Sequence, residues 1–265
     1  MAQIAVAQFA PNDDAAANLV AIRALAEEAV RRGASLVVFP EYSSWFAAEM
    51  GPEWLDAAQS VDGPFVAGLG EIAVALDIHI VAGLIETTTE DRVSNTLVAV
   101  SPHAVVVAKY RKLHLYDAFG AQESRWVKPG ALVAPQTFAW GGFTVGLQTC
   151  YDIRFPEVTR SLVDAGADLV LVPAEWVRGP LKEHHWRTLV TARAIENTIY
   201  IAAADHAPPV GVGNSMVVDP MGVELVTIGE TTDVAVATIT AQRVAQTRVV
   251  NPALALRRFG THPLQ

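Results

Sequence analysis

Cys150 is the only cysteine in a chain of 265 residues, and it stands where the sequence changes from strand to helix. Phe143, Thr144, Val145, Gly146 and Leu147 have the branched, alternating character of a strand, and Pro156 with Glu157 reads as the first turn of a helix ending at Gly166. Amide groups at a helix start favour negative charge, so this corner offers help to a thiolate. A lone cysteine is otherwise a small buried hydrophobe. To attack a carbon centre, its thiol needs a base to take the proton and a group to face the developing oxyanion. Glu41, delivered by an apolar run and Pro40, and Lys112, in a basic segment with Lys109 and Arg111, have the right types. Taken singly, the first reads as a cap and the second as a solvated cation. A Cys–His pair is also open, since the chain has seven histidines, but none has a distinctive setting. His184 and His185 are adjacent on a predicted helix and point to different sides, so no metal site is expected there, and no cofactor.

The elements that must carry these residues follow from hydrophobic periodicity. Residues 3–9 read as a strand closed by Pro11, and Leu19, Ile22, Ala26, Ala29 and Val30 recur at helical spacing until Gly33. The next strand, 35–39, places Glu41 at its carboxyl end, the edge where ligands collect in open α/β sheets. A loop with a short helix spans 45–60. A helix over 64–76 and strands over 78–85, 95–100 and 104–108 follow, the last two as a hairpin around Pro102. A long connection then carries Lys112, Tyr116 and Glu123 as far as Gly130. Beyond Cys150 come a strand over 168–172, a helix over 182–197, strands over 200–204, 215–218, 224–228 and 234–240, a short helix and a proline-containing tail. Gly33 to Glu41 echoes Gly166 to Glu175, which reads either as two related halves or as the general likeness of buried α/β units.

Composition narrows the classes. Apolar residues make up 51% and charged residues 18%, the balance of a globular chain, and the net charge of -9 argues against nucleic acid or an anionic membrane surface as partner. The longest charge-free stretch, between Lys128 and Asp152, is broken by Pro129, Pro135, Gly141 and Gly142, so no membrane span is expected. The first residues lack a basic region, so no signal peptide is expected, and a single cysteine fits a reducing cytoplasm.

The contexts are more specific than the residues. Phe39-Pro40-Glu41, Tyr110-Arg111-Lys112-Leu113-His114 and Cys150-Tyr151-Asp152-Ile153-Arg154-Phe155-Pro156-Glu157 together resemble the nitrilase, or carbon-nitrogen hydrolase, superfamily, from Gln3 to about Ile239. The resemblance implies an α/β fold, a four-layer αββα sandwich that dimerises into eight layers, and cleavage of carbon-nitrogen bonds other than peptide bonds by a Glu-Lys-Cys triad. In that scheme Glu41 is the general base and Cys150 the nucleophile. Lys112 and the backbone amide of Tyr151 face the oxyanion, and Glu123 positions Lys112 and substrate. The nucleophile segment is similar to the ω-amidase and deaminated-glutathione amidase branch, which Trp186, Leu189, Arg193, Ala194 and Asn197 also fit.

For this branch the implied substrate is a small amide with a distal carboxylate, paired with Arg154 or Arg178, although Arg154 equally reads as a salt bridge to Glu157 or another acid. Tyr42, Tyr116, Phe119, Glu175 and Trp176 are expected pocket walls. Gly213-Asn214-Ser215-Met216 departs from the many relatives with a histidine before the serine, which touches the pocket and not the triad. Nitrile or N-carbamoyl hydrolysis and acyl transfer are alternatives from the same thioester, and a non-catalytic binding protein is the reading from another class. The expected organisation is a hydrolase domain over 1–240 and a C-terminal helix and tail over 241–265, docked on the partner subunit of a homodimer.

Overall fold

In the computed structural model, which describes residues 1–263, thirteen strands form two sheets packed face to face. In chain order the first half comprises β1 (Ala2–Gln8), α1 (Ala15–Arg31), β2 (Leu36–Val38), α2 (Glu53–Ala57), α3 (Pro64–Leu76), β3 (His79–Glu86), β4 (Val93–Val100), β5 (Val106–Arg111) and β6 (Val127–Lys128). The second comprises β7 (Thr137–Trp140), β8 (Phe143–Leu147), α4 (Pro156–Asp164), β9 (Leu169–Pro173), α5 (Lys182–Asn197), β10 (Tyr200–Ala204), β11 (Met216–Val218) and β12 (Glu224–Thr227). β13 (Asp233–Ile239) and α6 (Ala241–Val250) complete the chain's regular elements.

The order in the first sheet is β13-β1-β2-β3-β4-β5, with β6 against β4, and in the second β12-β11-β10-β9-β8-β7. Side chains alternate across each strand, and both faces of the central strands β1–β4 and β8–β11 are covered, which is why those strands read as continuous apolar runs. Ile4, Val6, Leu36 and Val38 meet Val145, Leu147, Leu169 and Leu171 between the sheets. Their neighbours Ala5, Ala7, Val37 and Phe39 face outward onto Ile22, Ala26, Leu69 and Ile72 of α1 and α3. Val170, Val172 and Ile201 do the same against Leu162, Trp186 and Val190 of α4 and α5. The result is the four-layer αββα sandwich.

The two halves repeat one topology. β1 and β2, and β2 and β3, pair in parallel, while β3 with β4 and β4 with β5 pair antiparallel. β8, β9, β10, β11 and β12 pair in the same sequence of senses. The echo between Gly33–Glu41 and Gly166–Glu175 therefore reflects equivalent strand-helix-strand units, and it sets Glu41 beyond β2 and Glu175 beyond β9 at matching edges.

Three expectations need correction. The fifth strand begins at Val106 and not at residue 104, because Ala104 turns the hairpin in the left-handed region (φ 55). The strand consequently runs to Arg111, directly before Lys112. β7 was not foreseen, although Gly141 and Gly142, both at positive φ (58 and 84), form the two-residue turn of its hairpin with β8. Cys150 does not stand at the start of α4: a 3-10 turn, Cys150–Arg154, intervenes. The first-turn N–H groups of α4 thus belong to Glu157 and its successors, beyond that turn. No helix among the described residues is long and apolar enough to cross a membrane. The tail's last two positions, 264 and 265, lie outside the described residues.

Candidate active site

Glu41 is carried by a loop laid across β3. Gly83 N–H donates to Pro40 O (3.2 Å) and Ser44 N–H to Gly83 O (2.9 Å), so the loop is anchored on both sides of Glu41. Only glycine fits at 83, since a Cβ there would sit 2.3 Å from Tyr42 N and 2.7 Å from Glu41 C. His206 Nε2 adds a contact of 2.7 Å to the backbone oxygen of Glu41. Lys112 is fixed equally closely: its N–H donates to Asn95 O of β4 (2.9 Å), and its carbonyl accepts from Gly130 N–H (2.8 Å).

Their side chains converge with Glu123 in a sealed interior where Glu41, Lys112 and Glu123 are 1%, 2% and 4% exposed. Charges so buried persist only by pairing with one another. Lys112 Nζ donates to Glu41 Oε1 (2.9 Å) and to both oxygens of Glu123 (3.1 and 2.8 Å). Asn95 Nδ2 bridges the carboxylates, 2.6 Å from Glu41 Oε1 and 3.2 Å from Glu123 Oε1. Tyr42 Oη donates to Glu123 Oε1 (2.6 Å), Tyr116 N–H to Glu123 Oε2 (2.5 Å), and Glu175 N–H to Glu41 Oε2 (2.7 Å).

The two carboxylates titrate in opposite directions. Burial pushes Glu41 up against the pull of Lys112, whereas at Glu123 the lysine and the Tyr42 and Tyr116 donors overcome burial and hold the carboxyl down. Burial alone would lower Lys112, but Glu123 and Glu41 reverse that and keep it firmly cationic. Glu41 is thereby the better proton acceptor of the two carboxylates.

Cys150 is buried and held at φ 43, a strained conformation for a non-glycine residue. Its Sγ lies 3.5 Å from Glu175 O. Burial, then the charge of Glu41, raises the thiol well above its ordinary range despite Lys112, so the helix-start effect read from sequence is not the controlling one. Asp152 ties down the turn by accepting from Thr149 N–H (3.2 Å), His114 N–H (2.9 Å) and Tyr110 Oη (2.6 Å). A cavity of about 470 Å³ opens onto Glu41, Lys112, Cys150, Glu123, Tyr116 and Glu175 together. The carboxyl of Glu175 is driven up by burial and by Glu41, and its Oε1 is buried without a partner.

The remaining sequence candidates divide. Arg154 forms no salt bridge with Glu157 among the described residues; its guanidinium lies 4.7 Å from the Trp176 ring and 5.8 Å from that of Tyr151, with Nε buried and unpartnered. Tyr151 packs edge-on against Tyr116, their centroids 5.2 Å apart. Trp176 supports from behind, donating Nε1–H to Lys182 O (2.9 Å). Arg178 is exposed and pairs with Glu230 (2.7 Å), away from the cluster. Sequence reasoning overlooked Asn95, Asp152 and Lys182. Only Asn95 carried a signal, as part of a polar Ser94-Asn95-Thr96 interruption in an apolar strand. Among the described residues no group of three or more His, Cys, Asp or Glu is arranged to hold a metal ion.

A glutamate-lysine-glutamate cluster thus shares one cavity with a cysteine at the strand edges of this sandwich. The chain is a member of the carbon-nitrogen hydrolase family, which it matches over residues 3–249. It is 38% identical to the deaminated glutathione amidase of Escherichia coli O157:H7, over 97% of each chain. It is 30% identical to the human omega-amidase NIT2, covering 90% of this chain and 88% of that one. The amidase from Nesterenkonia sp. AN1, solved as a variant in complex with acrylamide, superposes with a TM-score of 0.81 at 29% identity, over 97% of this chain and 94% of that one.

Proposed function

We propose that the protein is an amidohydrolase that cleaves the amide of a small, carboxylate-bearing ω-amide through a Cys150 thioester, releasing ammonia and a carboxylic acid. The carrying observation is the buried Glu41, Lys112 and Glu123 cluster that shares a cavity with Cys150. Sγ attacks the amide carbon while Glu41 takes the thiol proton and passes it to the leaving nitrogen. Lys112 and the Tyr151 amide face the oxyanion, in a site dry enough for the charge to count. Ammonia departs as the carbon-nitrogen bond breaks. Glu41 then draws a proton from water, whose oxygen attacks the thioester, and the carbon-sulfur bond breaks as the proton returns to Sγ. Glu123 keeps Lys112 charged and in place throughout.

Arg154, with an unpartnered buried Nε and no paired acid among the described residues, is the proposed partner of the substrate carboxylate. The relatives named as amidases, and the neighbour solved with acrylamide, support an amide over a nitrile. A thiol that must stay reduced supports a cytoplasmic location. The protein is further proposed to work as a homodimer in which segment 241–265 lies on the partner, since Val249, Val250, Leu256 and Phe259 stand exposed there.

Ammonia release from a panel of amides with and without a terminal carboxylate, run beside Cys150→Ala, tests the activity. Turnover of the carboxylate-bearing members, abolished in the variant and weakened in Arg154→Met, is expected. Ammonia release that survives Cys150→Ala, or none from any amide, would overturn it.

A further inference from the structure

Glu175 touches both reacting groups through its backbone. Its N–H donates to Glu41 Oε2 (2.7 Å), and its carbonyl oxygen lies 3.5 Å from Cys150 Sγ. The next peptide is pinned as well, Trp176 N–H donating to Asp205 Oδ1 (2.6 Å). The Glu175 side chain lines the Cys150 cavity. Among the described residues that do so, its Oε1 is the only buried side-chain oxygen or nitrogen without a hydrogen-bond partner. A bare buried acceptor is costly until something fills it.

A scissile amide would bring a nitrogen with two hydrogens into this cavity, and each needs an acceptor. Glu41 Oε1 is already occupied by Lys112 Nζ and Asn95 Nδ2. Its Oε2, beside the Glu175 N–H, keeps one lone pair, which the thiol proton requires. Glu123 is filled by Tyr42, Asn95, Lys112 and the Tyr116 N–H. Glu49, the other carboxylate of the wall, is exposed. Glu175 alone among these carboxylates has a buried oxygen to spare, and its main chain already adjoins the base that protonates the departing nitrogen. Burial and Glu41 raise its carboxyl against the pull of Lys112 and Lys182, which favours the neutral acid with one acceptor oxygen and one O–H donor. We propose that Glu175 is a further catalytic residue, whose Oε1 accepts an N–H of the scissile amide and holds the leaving nitrogen against Glu41. The assignment rests on the amidase reading and concerns the nitrogen, whereas Arg154 concerns the acyl half.

The experiment compares glutaramate with monomethyl glutarate on the parent protein, Glu175→Met and Glu175→Gln. Both compounds would give the same thioester, and only the amide has N–H groups to satisfy. The amide-to-ester ratio of kcat/KM is expected to fall about tenfold or more in Glu175→Met, as for a buried hydrogen-bonding group left unpaired. In Glu175→Gln, which keeps an acceptor oxygen, the ratio is expected to stay within about threefold of the parent. Each ratio is taken within one protein, so a misfolded fraction cancels. A ratio unmoved in Glu175→Met, or one that falls as far in Glu175→Gln, would overturn the proposal. Calorimetric titration of both compounds into Cys150→Ala, with and without Glu175→Met, separates the two readings. A Glu175-dependent binding preference for the amide, without ammonia release from the parent, would support the residue's role and sink the amidase. Ammonia release with an unmoved ratio would sink the role of Glu175 alone, and neither turnover nor a binding preference would sink both.

Discussion

Lys112 is shared by two carboxylates, and the sharing decides what each can do. With Glu123 ionised against it, the lysine cannot be wholly claimed by Glu41, whose carboxyl stays free to gain and lose a proton. Replacing Glu123 by Gln removes a negative charge that raises Glu41 and leaves the lysine to it alone. The expected result is a loss of kcat of about a hundredfold, with the acid limb of the pH–rate profile shifted to lower pH as Glu41 becomes a weaker base. A profile measured for Glu123→Gln that kept its wild-type acid limb would separate the two carboxylates. Glu175 makes a different test. Its carboxyl is raised by burial and by Glu41, so the folded protein holds that proton at pH values where the unfolded chain has released it. The contribution to stability is complete below the ordinary carboxylate range and fades as pH rises through the folded value. Glu175→Gln, neutral throughout, is expected to gain stability over the parent as pH rises from acid to neutral, measured by urea denaturation across that range. A constant difference at all pH values would contradict it.

At the scale of elements, each of these side chains is delivered by a strand end whose own position is fixed elsewhere. Gly83 is the clearest instance, because it lies within β3 and supports Glu41 on the neighbouring loop by having no side chain. Gly83→Ala should therefore act as an active-site variant. The loop must move by roughly the ångström a Cβ demands, and displacement of that order in a catalytic constellation costs about a hundredfold. Circular dichroism showing retained folding would make the kinetic loss specific. The helix over 64–76 was legible from the proline at its start, and Glu41, Lys112 and Cys150 stood out through the contexts Phe39-Pro40-Glu41, Tyr110-Arg111-Lys112 and Cys150-Tyr151-Asp152 more than as single residues. Asn95 and Asp152 were not legible. Their partners are 54 residues away for Asn95 and Glu41, and 42 and 38 away for Asp152 with Tyr110 and His114, and only the register of β4 and the turn after β8 bring them together. The rings around Lys182 come from two separated segments, Tyr116 with Phe119 and then Trp176.

For the molecule as a whole, the repeated topology supplies two equivalent edges, and Glu41 and Glu175 occupy corresponding places on them. The exposed apolar residues at the far end of the chain belong to this scale too. On the proposed homodimer, a chain ending at residue 250 is expected to lose dimer mass by light scattering while each protomer keeps its fold, and a truncated protein that stayed fully dimeric would remove the tail from the proposed interface. The pairing of β1 with β13, which joins residues 2–8 to 233–239 across seven aligned positions, carries a consequence for biosynthesis. β1 is synthesised well before the strand it pairs with, β13. Until some 230 residues have followed it, the hydrogen-bonding edge of β1 has no neighbour on that side. An open, apolar edge of this kind invites pairing with other nascent chains. Completion of the sheet is thus a late event in the life of each chain, and a nonsense product ending before Asp233 would expose the whole edge at once, a substrate for chaperones and proteases and not a smaller working enzyme.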